Sequence, residues 1–235
     1  MGVGTMGGVR QRIGGMVVLL SAGLLCAPSP ALAQGTVSGR VAIQEKPGET
    51  TTDLAITVVF LVGKGGAARA PETKAQMAII GRQFSPRVRV VTVGSSVEYP
   101  NQDPFSHNVF STAAGAAFDL GLYGSGKSKA AHFRKPGAFP VYCNIHEKMT
   151  AYVVVVATPH HVQASADGRW SIAKVPAGKY ELHVWHERAG EVVKELEVPA
   201  TGLTDVDQKL DATGYKQVAH KNKFGKDYAA SGVRY

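Results

Sequence analysis

The sequence predicts an all-β protein built as two consecutive β-sandwiches. Two observations lead there. Short apolar runs rich in Val, Ile, Phe and Tyr recur along the chain, and clusters of Gly, Pro, Ser and Asp separate them at short intervals. Strands of that length joined by short turns pack as sandwiches or barrels. The chain has 235 residues, of which 44% are apolar, so it can bury an ordinary globular core.

The first segment reads as an export signal rather than as part of the fold. Arg10 and Arg12 form a short basic region, and "IGGMVVLLSAGLLCA" is an apolar stretch too short to span a bilayer. "ALA" at 31–33 is a small-x-small cleavage site, giving a signal peptide over 1–33 and a mature chain from Gln34. A lipoprotein reading through Cys26 is weaker, because Leu25 stands where lipidation wants a small residue. Sec export to the periplasm is therefore expected, with no transmembrane segment after cleavage. Loss of Arg10 and Arg12 takes the net charge from +8 to +6, and residues 213–235 hold +4 of that. The folded body is only mildly basic, and no nucleic-acid partner is expected. The basic tail reads first as a solvated, flexible end, and second as a contact for an acidic partner or a membrane headgroup.

The strands follow in order. "TVSGRVAI" (36–43) and "LAITVVFLVG" (54–63) are β-branched and bounded by turn formers. "RVRVVTVGSSVEY" (87–99) alternates around an internal Gly-Ser-Ser turn, and "HNVFS" (107–111) is a further short strand. Residues 112–136 are rich in small residues and read as a short helix or a long loop. "GAFPVYC" (137–143) places Phe139, Val141 and Cys143 on one face and Tyr142 on the other. "TAYVVVVA" (150–157) reads as a strand buried on both faces. From Pro159 a second series of at least four strands is divided by "ADG", "PAG" and "RAG" turns. This gives one domain at 34–158, a smaller one at 159–212, and an irregular basic tail at 213–235.

"VYCNIHEKM" (141–149) carries the chemistry. Once the leader is removed, Cys143 has no partner thiol, and an unpaired cysteine in an oxidising compartment suggests a reactive thiol or a metal ligand. Thiolate, imidazole and thioether at Cys143, His146 and Met149 are soft and borderline donors suited to copper. A trigonal site needs a second imidazole, and His107 offers it at the start of its own strand. Met149 and Met77 are the only methionines of the mature chain.

"SHNVFS" followed by "GAFPVYCNIHEKMTAYVVVV" resembles the cupredoxins, the type 1 blue copper proteins, over about residues 36–158. The Cys-x2-His-x2-Met loop is most similar in length to that of amicyanin. The resemblance implies a Greek-key β-sandwich holding one type 1 copper ion. His107, Cys143 and His146 would then be equatorial ligands and Met149 the axial one. Asn108 would help tie the two ligand-bearing segments together. Glu147 and Lys148 depart from the apolar surface that the family presents to redox partners. Residues 160–212, chiefly "ADGRWSIAKVPAGKYELHVWHE", resemble a transthyretin-like or carboxypeptidase regulatory-like module, in which Trp170, Tyr180 and Trp185 read as core residues.

These readings imply a periplasmic one-electron carrier. Its copper site would consist of two histidines, a cysteine and a methionine, and its redox partner protein would be a cytochrome or a dehydrogenase. The alternative is a copper-binding or sensing module that docks a partner without carrying electrons. An enzyme would need a second metal site of several histidines, and the remaining ones are scattered. His183 and His186 are three apart in a strand and face opposite sides. "GLYGSGKS" (121–128) satisfies the phosphate-loop pattern, but Pro136 follows too soon for the helix that such a loop requires.

Overall fold

The computed structural model describes residues 34–66 and 70–228, with short pieces at 1–4 and 7–8. The expected signal peptide, Cys26 included, falls almost wholly outside the described residues. The strands are β1 (Gln34–Gln44), β2 (Val58–Gly63), β3 (Lys74–Gln76), β4 (Ala78–Ile80), β5 (Gln83–Ser85) and β6 (Val88–Thr92). They continue with β7 (Ser96–Pro100), β8 (His107–Ser111), β9 (Phe118–Tyr123), β10 (Ser128–His132), β11 (Gly137–Tyr142) and β12 (Thr150–Val156). The last are β13 (His161–Gln163), β14 (Arg169–Pro176), β15 (Gly178–His186), β16 (Gly190–Val198) and β17 (Gln208–Asp211). One 3-10 turn, Leu54–Ile56, is the sole helical segment among the described residues, and none of them form a helix long and apolar enough to cross a membrane.

Two sandwiches result. In the first, a five-stranded sheet ordered β6-β12-β11-β8-β9 shares a core with a sheet ordered β10-β7-β3 and with the β4–β5 hairpin. Tyr99, Phe133, Met77 and Val153 lie in that core, fully buried. The second sandwich combines β14-β1-β17 with β13-β2-β15-β16 around Val37, Leu61, Trp170 and Leu182.

Residues 34–63 were expected in the first domain, but β1 and β2 belong to the second. β1 pairs antiparallel with β14 and parallel with β17, while β2 lies between β13 and β15. The chain starts in one sandwich, leaves to build the other, and returns. A strand's local pattern shows that it is a strand and which face is apolar, but not which sheet completes it.

A second correction concerns 112–136. This segment holds β9 and β10 instead of a helix or one long loop, and Gly126 turns the chain between them in the left-handed region. The phosphate-loop pattern thus runs from strand through turn to strand. Lys129 lies in β10, exposed, and donates to the Leu120 carbonyl. The β3, β4 and β5 strands had no counterpart in the sequence reading.

The sandwiches meet in a third apolar cluster. Val154 and Val156 of β12 and Val88 of β6 pack with Val58 of β2 and Trp185 of β15. Alternate residues of β12, Val153 and Val155, point into the first core. The "VVVV" run is therefore buried on both faces, one within its own sandwich and one against the other.

Candidate metal centre

Antiparallel pairing of β8 with β11, with Tyr142 opposite Phe110, brings the start of one strand to the end of the other. His107 opens β8 and Cys143 follows β11, so both arrive at the same edge of the sheet. β11 also pairs with β12, Tyr142 opposite Thr150, which makes residues 143–149 a hairpin loop. The Cys143 N–H donates to the Met149 carbonyl at 3.3 Å, and the Met149 N–H donates to the His146 carbonyl at 3.0 Å. These two bonds fold the loop back on itself and bring Cys143 and His146 together.

The donor atoms converge. Cys143 Sγ is 3.8 Å from His107 Nδ1 and 3.7 Å from His146 Nδ1, and the three ligand atoms lie within 4.8 Å of one another. Three donors around one ion at bond lengths of about 2.0–2.3 Å stand roughly 3.6 Å apart when trigonal. The two sulfur–nitrogen separations match that spacing. His107 and Cys143 are 0% exposed, Met149 is buried in the same core cluster as Cys143, and His146 is half-buried. No other group of three His, Cys, Asp or Glu donors is assembled for a metal among the described residues.

Burial dominates the electrostatics of Cys143 and favours the neutral thiol. Burial pushes the Cys143 thiol up, while main-chain N–H groups of Asn108, Ile145 and His146 act the other way and favour thiolate. A cation between the two imidazoles would complete that stabilisation. Burial, the neighbouring His107 and the Arg82 guanidinium hold the His146 ring below the usual histidine range, so it is ready as a neutral donor.

Asp103 completes the site and escaped the sequence reading. Its Oδ2 accepts from His107 Nε2 at 2.8 Å, which leaves Nδ1 as the lone-pair nitrogen facing Cys143. The same carboxylate accepts the N–H of Gly81 at 2.6 Å and of Arg82 at 2.9 Å. Burial alone would raise its pKa, but these donors and His107 outweigh burial and keep it ionised. Asp103 is four residues before His107 in a run of bends, a spacing with no periodic signal. Only the fold brings the β4–β5 turn to it.

Asn108 meets the ligand loop through its main chain, and its side chain reaches β9. Its main-chain N–H favours the Cys143 thiolate, while its side chain donates to Asp119 Oδ1 at 2.6 Å. At the surface, the Phe105 ring lies 5.2 Å from His107 and 5.8 Å from His146, with the Arg82 guanidinium 5.0 Å from its centroid. His183 stacks on Phe60 and His186 is buried beside Asp53, so neither joins the centre.

No protein-family model matches the chain, and no curated protein matches it. Among solved structures, a purple cupredoxin from Nitrosopumilus maritimus is 23% identical, with a TM-score of 0.32, covering 35% of this chain and 99% of its own. Amicyanin from Paracoccus versutus is 19% identical, with a TM-score of 0.33, covering 37% of this chain and 85% of its own. A copper-containing nitrite reductase from Thermus scotoductus is 26% identical, with a TM-score of 0.34, covering 40% of this chain and 25% of its own. Likenesses this partial bear no weight; the donor atoms themselves point to a metal.

Proposed function

We propose that the protein is a type 1 copper protein of cupredoxin type, exported to the periplasm, that carries single electrons to or from a partner redox protein. The observation that carries this reading is the convergence of Cys143 Sγ with His107 Nδ1 and His146 Nδ1 at one buried point. The chemistry of the donor set then selects the ion. Two imidazoles and a thiolate suit copper or zinc, whereas a thioether at Met149 is a copper donor and not a usual zinc one.

When bound, copper supplies a one-electron couple between Cu(I) and Cu(II). The chain's own residues do the rest. Asp103 fixes the His107 tautomer and ring orientation. The closed loop holds Cys143 and His146 in one arrangement, so little rearrangement accompanies a change of oxidation state. Burial of Cys143 and His107 keeps water away. His146, half-buried beside Phe105, offers the edge through which an electron would pass. The role is carriage and not substrate turnover, since the four side chains would occupy the ion's coordination positions.

The test is the visible spectrum of residues 34–235 with added Cu(II). An intense thiolate-to-copper band, absent in Cys143→Ser, is the expected result. A colourless protein that takes up zinc in preference would overturn the reading.

A further inference from the structure

The sequence predicts a solvated, flexible basic tail. Instead, its stretch from His220 to Tyr228 lies on the ligand loop. The Tyr228 hydroxyl donates to the carbonyl of Cys143 at 2.6 Å. The His220 ring stacks on Tyr142, the residue before Cys143, at 4.2 Å and 20°, and its edge meets Tyr228 at 5.2 Å. The Lys223 N–H donates to the side-chain oxygen of Asn144, the residue after Cys143, at 2.9 Å. Three consecutive residues, 142 to 144, are thus each held by a different residue of the tail.

Lys223 also reaches the other ligand segment. Its Nζ pairs with Asp119 Oδ2 at 2.6 Å, and Asp119 Oδ1 accepts from Asn108, the residue after His107. One lysine therefore links the neighbour of Cys143 to the neighbour of His107. The tail has its own local order: the Asn222 carbonyl and side chain accept N–H groups of Gly225, Phe224 and Lys226, and the Asn222 N–H donates to the Lys226 carbonyl. A floating end would have no reason to satisfy its backbone in this way.

We propose that the segment from His220 to Tyr228 is a positioning strap of the metal centre, fixing the Cys143 loop and its register with the His107 strand. This rests on the reading of the site as a metal centre. The strap's hydrogen bonds and ring stack fall on the main chain of Cys143 and on residues flanking the ligands. It acts through the main chain at Cys143 and through the residues flanking both ligands. Partners of this outer kind orient ligands and set how tightly the metal is kept. They also limit the loop movement through which an ion leaves.

The experiment uses the full mature chain with Tyr228→Phe, Lys223→Ala, His220→Ala and His220→Phe. Two rates are read: copper release to a Cu(I) chelator, and iodoacetamide alkylation of Cys143 in metal-free protein. Tyr228→Phe, Lys223→Ala and His220→Ala should each raise both rates roughly threefold to tenfold, the range one net hydrogen bond supports. His220→Phe, which keeps the stack, should stay near wild type, and far-ultraviolet dichroism should be unchanged throughout. Rates within twofold of wild type in all of the first three variants would overturn the strap. A wild type without the thiolate-to-copper band would instead overturn the copper reading, and the alkylation rates would still decide the strap.

Discussion

At the scale of single residues, the site divides into what the sequence displays and what only the fold assembles. Cys143, His146 and Met149 stand three apart in one loop, and a cysteine left without a partner thiol once the expected leader is removed singles that loop out. His107 is recognisable because it opens a strand. Asp103 is invisible in the sequence, since its role depends on two N–H groups from a turn more than twenty residues upstream. It is nonetheless the group that selects which imidazole nitrogen of His107 faces Cys143. Asp103→Asn should therefore keep the fold but lower copper affinity by about tenfold to a hundredfold, the usual cost of losing such a partner. Competition against a chelator of known affinity measures this. An unchanged affinity would mean that β8 alone sets the ring.

At the scale of elements, β12 was readable because four consecutive valines cannot satisfy a half-exposed strand. They imply burial on both faces, and the structure supplies one core for each. β9 and β10 were missed because Gly121, Gly124 and Gly126 and the exposed Ser128 and Lys129 weaken any apolar alternation. β3 to β5 are three residues each, too short to show a period. The "ADG" turn shows how strictly a readable element can be constrained. Gly168 has φ +82°, its carbonyl accepts the Val41 N–H at 2.8 Å, and an added Cβ would stand 2.3 Å from the Val41 carbonyl oxygen. Gly168→Ala combines backbone strain with a clash against β1 that no side-chain rotation relieves. A loss of about 1–3 kcal/mol is expected from the backbone alone, read as a lower midpoint in chemical denaturation. A neutral result would mean that β1 can shift at no cost.

At the scale of the whole molecule, the split second sandwich explains why one chain segment must be anchored far from its sequence neighbours. After β1 the chain crosses to β2 through residues 45–57, and this crossing is held by Arg188 in the turn after β15. The guanidinium donates to both oxygens of Glu45 at 2.7 Å and to both of Asp53 at 2.7 and 2.8 Å. Arg87, before β6, makes a two-pronged pair with Glu187 beside it at 2.5 and 2.6 Å, joining the same turn to the first sandwich. None of these pairings has a signal in sequence, because Glu45 and Arg188 are 143 positions apart. They do leave a signature in pH. Hydrogen bonds from Arg188, then from Thr51, hold the Glu45 carboxyl down to about 2 against an ordinary 4.5, and Asp53 is lowered chiefly by the same guanidinium. A carboxylate whose folded pKa is depressed stabilises the fold above its unfolded pKa and loses that contribution as pH falls towards the folded value. The melting temperature should accordingly hold from neutral pH to about 5 and decline as pH falls from 4.5 towards 2. Arg188→Ala should be less stable at pH 7 by about 2 kcal/mol, since it takes from two part-buried carboxylates the guanidinium they share. Its melting temperature should also fall less steeply between about pH 5 and pH 3, because Glu45 and Asp53 would then titrate near their unfolded values. Parallel curves for wild type and variant, offset but equal in slope, would show that the acid sensitivity resides elsewhere.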